Sequence, residues 1–218
     1  MNMISENGKE NGNIITNGMV STGMVLETPK PILKIINKKS VRVLRPSEYL
    51  ALWNASTKYE NRTVLDTLLL SAGRITELRE MQINRQWFDI DSNSIHIKEH
   101  KIKRQQRGIK DRYIHLSTMG STVVKTFLYN GFAVPSYPTI LENLRRWGKR
   151  ANIDLTSLSA KVFRHTYESW LVFYYPEKSL SILQSTGHTQ SVALQHYLNL
   201  PFTETDRIQM ERYVSGWL

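Results

Sequence analysis

The stretch SLSAKVFRHTYESWLVFYYPEKSLSILQSTGH, residues 157–188, holds the pattern that decides the fold. Apolar residues recur every three to four positions from 157 to 175, which predicts a helix. Lys161 and Arg164 lie three residues apart and therefore share one face of that helix. Like charges so placed repel by about a few tenths of a kcal/mol unless an anion lies between them, so the pair hints at a phosphate site. Exposed basic pairs of this kind are also common on ordinary helices.

Two further candidates follow this helix. His188 lies between two predicted helices, 177–185 and 191–199, and Tyr197 comes nine residues after it. A single histidine in a loop is more often structural than catalytic. Tyr197 is one of ten tyrosines and, taken alone, is an ordinary aromatic residue.

Helices are predicted on both sides of the stretch. Arg74 follows Gly73 at the start of RITELREM, where the helical pattern resumes after an interruption. Taken alone, Arg74 could equally be an exposed surface arginine. The other segments with the apolar period of a helix are residues 47–56, 61–73, 121–130, 139–151, 177–185, 191–199 and 204–217.

Three short segments alternate between apolar and polar residues, which is the period of a strand. They are QWFDI (86–90), IHIK (95–98) and RYIHL (112–116). Residues 98–112, which are predicted to form the hairpin between the second and third of these segments, contain seven basic and two acidic residues, a net charge of +5. A charged hairpin is usually a solvated loop, but hairpins that contact DNA have the same composition. One small sheet flanked by many helices makes the predicted fold class α+β.

Composition excludes several classes of protein. The 218 residues suffice for a hydrophobic core that needs no disulfide or metal to stabilise it. The formal charge of +10 favours a polyanionic partner, most often nucleic acid. The absence of cysteine excludes a disulfide scaffold, thiolate metal sites and a cysteine nucleophile. No apolar run is long enough for a membrane span, and the N-terminus lacks the pattern of a signal peptide. We therefore predict a cytoplasmic protein that does not bind membranes.

Taken jointly, the motifs resemble the catalytic domain of tyrosine recombinases, the phage-type integrases and their relatives, over about residues 45–200. The resemblance is carried by RITEL at 74–78, RHT at 164–166, TGH at 186–188 and Tyr197. It implies a mainly helical α+β domain with a small antiparallel three-stranded sheet. It also implies a site-specific DNA recombinase that needs no metal or cofactor.

The resemblance implies a role for each motif residue. Tyr197 attacks a DNA phosphodiester and forms a 3′-phosphotyrosine, and Arg74 and Arg164 bind the phosphate oxygens. His188 donates a further hydrogen bond to the phosphate. Lys101 is the candidate general acid for the departing 5′-oxygen, and Lys103 and Lys98 are the alternative candidates for this role. Glu77 and His165 are expected to orient this cationic cluster.

Lys161 departs from the family pattern, which has histidine three residues before the second arginine. A lysine at this position is similar to integrases of spindle-shaped archaeal viruses and related plasmids, so we predict an archaeal mobile element as the source. Lys161 is expected to act either as a base with a depressed pKa or as a third fixed positive charge.

Duplex DNA with a specific attachment site is the implied partner, bound by a homo-oligomer, from dimer to tetramer. The residues predicted to contact DNA are all basic and belong to two clusters, the hairpin and one helix end. They are Lys98, Lys103, Arg104, Arg107, Arg145, Arg146, Lys149 and Arg150.

Domain boundaries follow from composition. Residues 1–40 begin with five Asn and four Gly in the first 25 positions, and we predict no regular structure there. Residues 41–200 are the predicted catalytic domain. Residues 201–218 are predicted to form a C-terminal helix that either covers its own core or packs on a neighbouring protomer.

Two other functions remain open at this stage. The motif AKVFR at 160–164 is similar to the corresponding stretch of type IB topoisomerases. These enzymes share the covalent step, and such an enzyme would nick and relax DNA. The RITEL motif and the spacing from Gly187-His188 to Tyr197 favour a recombinase instead. A DNA-binding protein whose catalytic set has decayed is the third possibility, and the complete Arg, Lys, Arg, His, Tyr set argues against it.

Overall fold

A computed structural model describes residues 31–36, 39–98, 111–186 and 200–217. The helices in these ranges are α1 (Pro46–Ala55), α2 (Tyr59–Leu70), α3 (Ile75–Ile83), α4 (Thr118–Asn130), α5 (Tyr137–Arg150), α6 (Ala160–Tyr174), α7 (Ser179–Thr186) and α8 (Glu204–Val214). The strands are β1 (Ile32–Ile36), β2 (Lys39–Val43), β3 (Phe88–Asp89), β4 (Ser94–Lys98) and β5 (Asp111–His115). The helix predicted at 191–199 lies outside the described residues.

The predicted α+β class is confirmed, with a mainly helical chain and a three-stranded antiparallel sheet in the order β3-β4-β5. Alternation sets its register: Ile95 lies opposite Ile114, and Ile97 lies opposite Arg112. Strand β3 is shorter than the predicted segment 86–90. Residues 85–87 form a 3₁₀ turn that buries Trp87, so pairing begins only at Phe88.

A second sheet was not predicted. Strands β1 and β2 form an antiparallel hairpin in which Ile32 pairs with Val43. The prediction that residues 1–40 lack regular structure is therefore wrong for 32–36 and 39–40. The Asn- and Gly-rich composition ends near residue 25, and the β-branched residues that follow favour strands. Val43, at the end of β2, is fully buried.

Helix α6 lies at the centre of the molecule and is buried along most of its length, which explains why it is apolar on several faces. Trp170 is fully buried, and its indole N–H donates to the carbonyl of Leu44 at 2.9 Å. Tyr49 packs edge-on against Trp170 with ring centroids 6.1 Å apart. In the first turn of the helix Ala160, Val162 and Phe163 are buried, and Lys161 is exposed.

The C-terminal helix α8 lies against its own chain. The Tyr167 hydroxyl donates to the carbonyl of Tyr213 at 3.1 Å, and the Trp217 indole N–H donates to the carbonyl of His115 at 2.9 Å. Arg45, just before α1, forms an ion pair with Asp206 in the first turn of α8. None of the helices in the described part of the chain is long and apolar enough to cross a membrane.

Candidate active site

Arg74 is held at the N-terminus of α3 by its own motif. Its backbone N–H donates to Glu77 Oε2 at 2.7 Å, and its guanidinium lies 2.5 Å from Glu77 Oε1. The turn before it needs glycine, because a Cβ on Gly73 would lie 2.8 Å from both the Leu78 side chain and Ser71 Oγ. The Arg74 side chain is 59 % exposed and so is accessible to a ligand.

Glu77 links Arg74 to a second guanidinium. Its Oε2 accepts a hydrogen bond from Arg112 Nη2 at 2.6 Å, and the side chain is only 14 % exposed. Burial raises the pKa of the Glu77 carboxyl, but the charges of Arg112 and Arg74 outweigh burial and hold the pKa below its usual value. Glu77 is therefore ionised and fixes both arginines.

Arg112 is the residue that sequence reasoning missed. It lies on the inward face of β5, and Nη1 donates to the carbonyl of Thr186 at 2.7 Å. Burial, and then the positive charge of Arg164, lowers the pKa of the Arg112 guanidinium to about 10, although Glu77 opposes the shift. The sequence held a signal: Arg112 occupies an inward position of the alternating segment RYIHL, in line with Ile114 and Leu116. A charged residue in such a row requires a buried partner.

Arg164 lies in the first half of α6 and is 5 % exposed. Its Nη1 donates to the carbonyl of Ala72 at 3.1 Å, and its Nη2 donates to the carbonyl of Thr186. Its Nε lies 3.2 Å from Glu168 Oε1, and Glu168 is fully buried one turn further along α6. These three contacts fix the plane of the guanidinium.

The carbonyl of Thr186 is where these elements meet, since it accepts from both Arg112 and Arg164. Arginines from α3, β5 and α6 are thereby gathered at the C-terminal end of α7. With Glu77 and Glu168 the group contains three positive and two negative charges, a net charge of +1. A cluster that retains positive charge at a partly buried position attracts an anion.

Lys161 and His165 lie beside this cluster on α6. Lys161 is exposed on the first turn, and His165 Nδ1 lies 3.6 Å from Glu168 Oε2. Both side chains line a cavity between α5 and α6, together with Arg145. Glu168 thus lies close to both His165 and Arg164, and the orienting role of His165 stays a prediction.

The remaining predicted residues divide into two groups. Lys98 is exposed at the end of β4, and four further basic residues are exposed on the last turns of α5: Arg145, Arg146, Lys149 and Arg150. The others lie outside the described residues, namely Lys101, Lys103, Arg104, Arg107, His188 and Tyr197. Within the described ranges, no three His, Asp or Glu side chains are grouped closely enough to hold a metal ion.

Comparison with known proteins finds a likeness to solved structures. No protein-family model and no curated protein matches the chain. A crystal structure of XerA recombinase superposes with a TM-score of 0.55 at 19% sequence identity, over 78% of this chain and 64% of that one. The chain therefore spans just under two thirds of the length of this neighbour. The likeness shows that the chain has the fold of a tyrosine recombinase catalytic domain.

Proposed function

We propose that this protein is a site-specific tyrosine recombinase, an integrase that cleaves and rejoins duplex DNA through a 3′-phosphotyrosine intermediate. The observation that carries the proposal is the meeting of Arg112 and Arg164 at the carbonyl of Thr186, with Arg74 linked to them through Glu77. Thr186 directly precedes Gly187-His188 in the sequence. The likeness to XerA recombinase supports the same function.

The physical difficulty of the reaction is the nucleophile. A tyrosine hydroxyl titrates near pH 10, so about one in a thousand is ionised at neutral pH, a handicap of roughly 4 kcal/mol. Cations around the phosphate favour the phenolate of Tyr197 and stabilise the charge that develops on the pentacoordinate phosphorus. Arg74 and Arg164 suit this role because a guanidinium stays charged and can grip two phosphate oxygens.

Fixing the arginines before the substrate arrives removes part of the reorganisation that the reaction would otherwise require. Arg164 is held by Ala72, Thr186 and Glu168, and Arg74 is held by Glu77. In the proposed step the Tyr197 hydroxyl releases its proton to solvent, and its oxygen bonds to phosphorus as the bond to the 5′-oxygen breaks. Lys101 gives its proton to that oxygen, and His188 donates to a non-bridging oxygen. Rejoining is the reverse, so no metal or nucleotide is consumed.

DNA is proposed to contact the basic residues at the end of α5 and those predicted in the segment 98–107. Arg145, Arg146, Lys149 and Arg150 are all exposed there and can pair with backbone phosphates. Lys98 leads into the hairpin residues Lys103, Arg104 and Arg107. The protein would act as a dimer to tetramer on a specific attachment site. The lysine at position 161 favours an element of the archaeal virus and plasmid type.

Covalent trapping tests this function. The duplexes are drawn from candidate attachment sites and are nicked so that the short strand with the new 5′-hydroxyl diffuses away after cleavage. They should form a covalent complex with the wild type and none with Tyr197→Phe. Trapping at particular sequences supports a recombinase. Relaxation of plasmid DNA without sequence preference would point instead to a type IB topoisomerase. A failure to trap on any duplex, with the protein folded and bound to DNA, would contradict both enzymes.

A further inference from the structure

Glu168 is a fully buried acidic residue in the central helix α6, where it belongs to the apolar stretch YESWLVFYY (167–175). Its neighbours Tyr167, Trp170 and Leu171 are buried as well. Removing an ionised carboxylate from water is strongly unfavourable unless a positive charge and hydrogen bonds compensate for the lost hydration. Glu168 therefore needs a partner charge inside the protein.

That partner is Arg164, which lies one turn earlier on the same face of α6. Nε of Arg164 is 3.2 Å from Glu168 Oε1, and the two side chains are 6 % and 0 % exposed. The other carboxylate oxygen, Oε2, lies 3.6 Å from Nδ1 of the partly buried His165. The carboxylate of Glu168 is thus held between two side chains of its own helix.

Stability does not explain this ion pair. Exchanging both members of a buried ion pair for well-packed apolar residues is often neutral or stabilising, whereas removing one member is strongly destabilising. In helices, the favourable order of an ion pair four residues apart places the acid before the base, and Arg164 and Glu168 have the reverse order. The pair is better explained by a demand that function places on the Arg164 guanidinium.

Glu168 determines which edge of that guanidinium can receive a phosphate. A guanidinium carries five N–H donors in one plane, and a phosphate pairs with two donors on the same edge. A second anion at the Nε edge would lie beside the Glu168 carboxylate and be repelled by it. A phosphate is therefore directed to the terminal nitrogens Nη1 and Nη2, whose positions the carbonyls of Ala72 and Thr186 fix.

We propose that Glu168 is a positioning residue, which orients the Arg164 guanidinium so that its terminal nitrogens meet the phosphate that Tyr197 attacks. The inference rests on the proposed function and adds a residue to it. Glu168 does not contact DNA, because its side chain is fully buried. Loss of its charge therefore acts on the rate of cleavage through Arg164 and has little effect on the affinity for DNA.

Single-turnover trapping of a duplex that the wild type cleaves tests this role. Glu168→Gln keeps nearly the same volume and removes the charge. The trapping rate at saturating protein should fall by about tenfold to a hundredfold, because a small displacement of a phosphate-binding group is costly. The dissociation constant, measured in chains that also carry Tyr197→Phe, should change by less than about twofold. A wild-type rate, or an effect confined to the dissociation constant, would overturn the proposal.

Glu48→Gln is the matched control, because Glu48 forms a second buried ion pair that has no part in the proposed site. Its Oε1 lies 2.6 Å from Nη2 of Arg42, and the two side chains are 5 % and 0 % exposed. The control should lower the urea midpoint of unfolding, as Glu168→Gln does, and leave the trapping rate near that of the wild type. Equal slowing by both variants would show that lost stability explains the effect, which also overturns the proposal.

A double-mutant cycle shows whether Glu168 acts through Arg164. In the Arg164→Ala chain, Glu168→Gln should change the trapping rate by less than about twofold, because no guanidinium is left to orient. If the two substitutions slow trapping by factors that simply multiply, Glu168 does not act through Arg164 and the proposal is wrong.

Urea unfolding of the DNA-free protein gives a measurement that does not depend on catalysis. The chain with both Arg164→Ala and Glu168→Gln should unfold at a higher urea concentration than the chain with Arg164→Ala alone, because an unpaired buried charge has been removed. An equal or lower midpoint would contradict the pairing, and this comparison holds even if Glu168→Gln alone does not fold. Failure of the proposed function is seen separately, as the absence of any duplex trapped by the wild type.

Discussion

Arg112 and Arg164 donate hydrogen bonds to the same carbonyl oxygen, that of Thr186. Two guanidiniums so close repel each other, and Arg164 contributes to the lowered pKa of Arg112. Glu77 on one side and Glu168 on the other offset this repulsion. The arrangement makes Arg112 a positioning residue, because it joins the helix that carries Arg74 to the segment that precedes His188.

Replacing Arg112 should therefore impair cleavage, although the Arg112 side chain is not expected to contact the substrate. Arg112→Met and Arg112→Lys should each slow single-turnover covalent trapping by about a hundredfold, because neither can bridge Glu77 and Thr186 and small displacements at the site are costly. The affinity for DNA should change little, which separates positioning from phosphate binding. Lys125→Met is the control, because Lys125 is exposed on α4 and has no part in the proposed site. A folded Arg112→Met protein that traps DNA at the wild-type rate would show that Arg112 has no such role.

Arg74 and Arg164 should differ in what their loss does. Arg74→Ala should reduce the trapping rate by about 10²–10³ and leave the free energy of unfolding nearly unchanged, because its side chain is 59 % exposed. Arg164→Ala should reduce the rate and also lower the free energy of unfolding by about 3–5 kcal/mol, since it removes the ion-pair partner of the buried Glu168. Urea unfolding and single-turnover kinetics measure the two quantities. Equal stability of the two variants would contradict the buried position of Arg164.

Glu77 should contribute stability that depends on pH. Its pKa is lowered in the folded state, so its contribution is present above the unfolded pKa of about 4.3 and is lost as the pH falls through the lower folded pKa. Glu77→Gln should lower the free energy of unfolding by about 1–3 kcal/mol at neutral pH. The gap in the free energy of unfolding between variant and wild type should close in urea titrations as the pH falls from about 4.3 through the lower folded pKa. A difference in the free energy of unfolding that stays constant over this pH range would show that the charge of the Glu77 carboxylate does not stabilise the fold.

Tyr197 is expected to serve the active site of its own chain. The helices on either side of it, α7 and α8, both pack on α6 of the same chain. A mixture of Tyr197→Phe and Arg164→Ala chains should therefore trap a duplex no faster than Arg164→Ala alone. Restored trapping in the mixture would mean that one protomer delivers its tyrosine to another.

The sequence predicted the elements whose pattern is local. Apolar spacing located α6 with Lys161 and Arg164 on it, and the interruption at Gly73 placed Arg74 at the start of α3. Both features depend on residues within one or two turns of each other, where helix geometry alone relates spacing to position.

The features that were missed depend on contacts between distant parts of the chain. Arg112 has partners 35 and 74 residues away, so its role emerges only once β5, α3 and the end of α7 are brought together. The β1-β2 hairpin was hidden because composition averaged over 40 residues masks a short β-branched segment at the end. The burial of Arg164 was also beyond sequence reasoning, because its partner Ala72 lies 92 residues earlier in the chain.

The anchoring of α8 bears on how the protein is made. The ring of Tyr213 packs edge-on against Tyr49 and at a tilt against Trp170, with ring centroids 5.7 and 5.3 Å away. Arg45 forms an ion pair with Asp206, 161 residues later, at the start of the helix. A nascent polypeptide still attached to the ribosome before residue 204 has been added would leave these rings uncovered. The core around α6 would therefore be completed only once α8 has been synthesised.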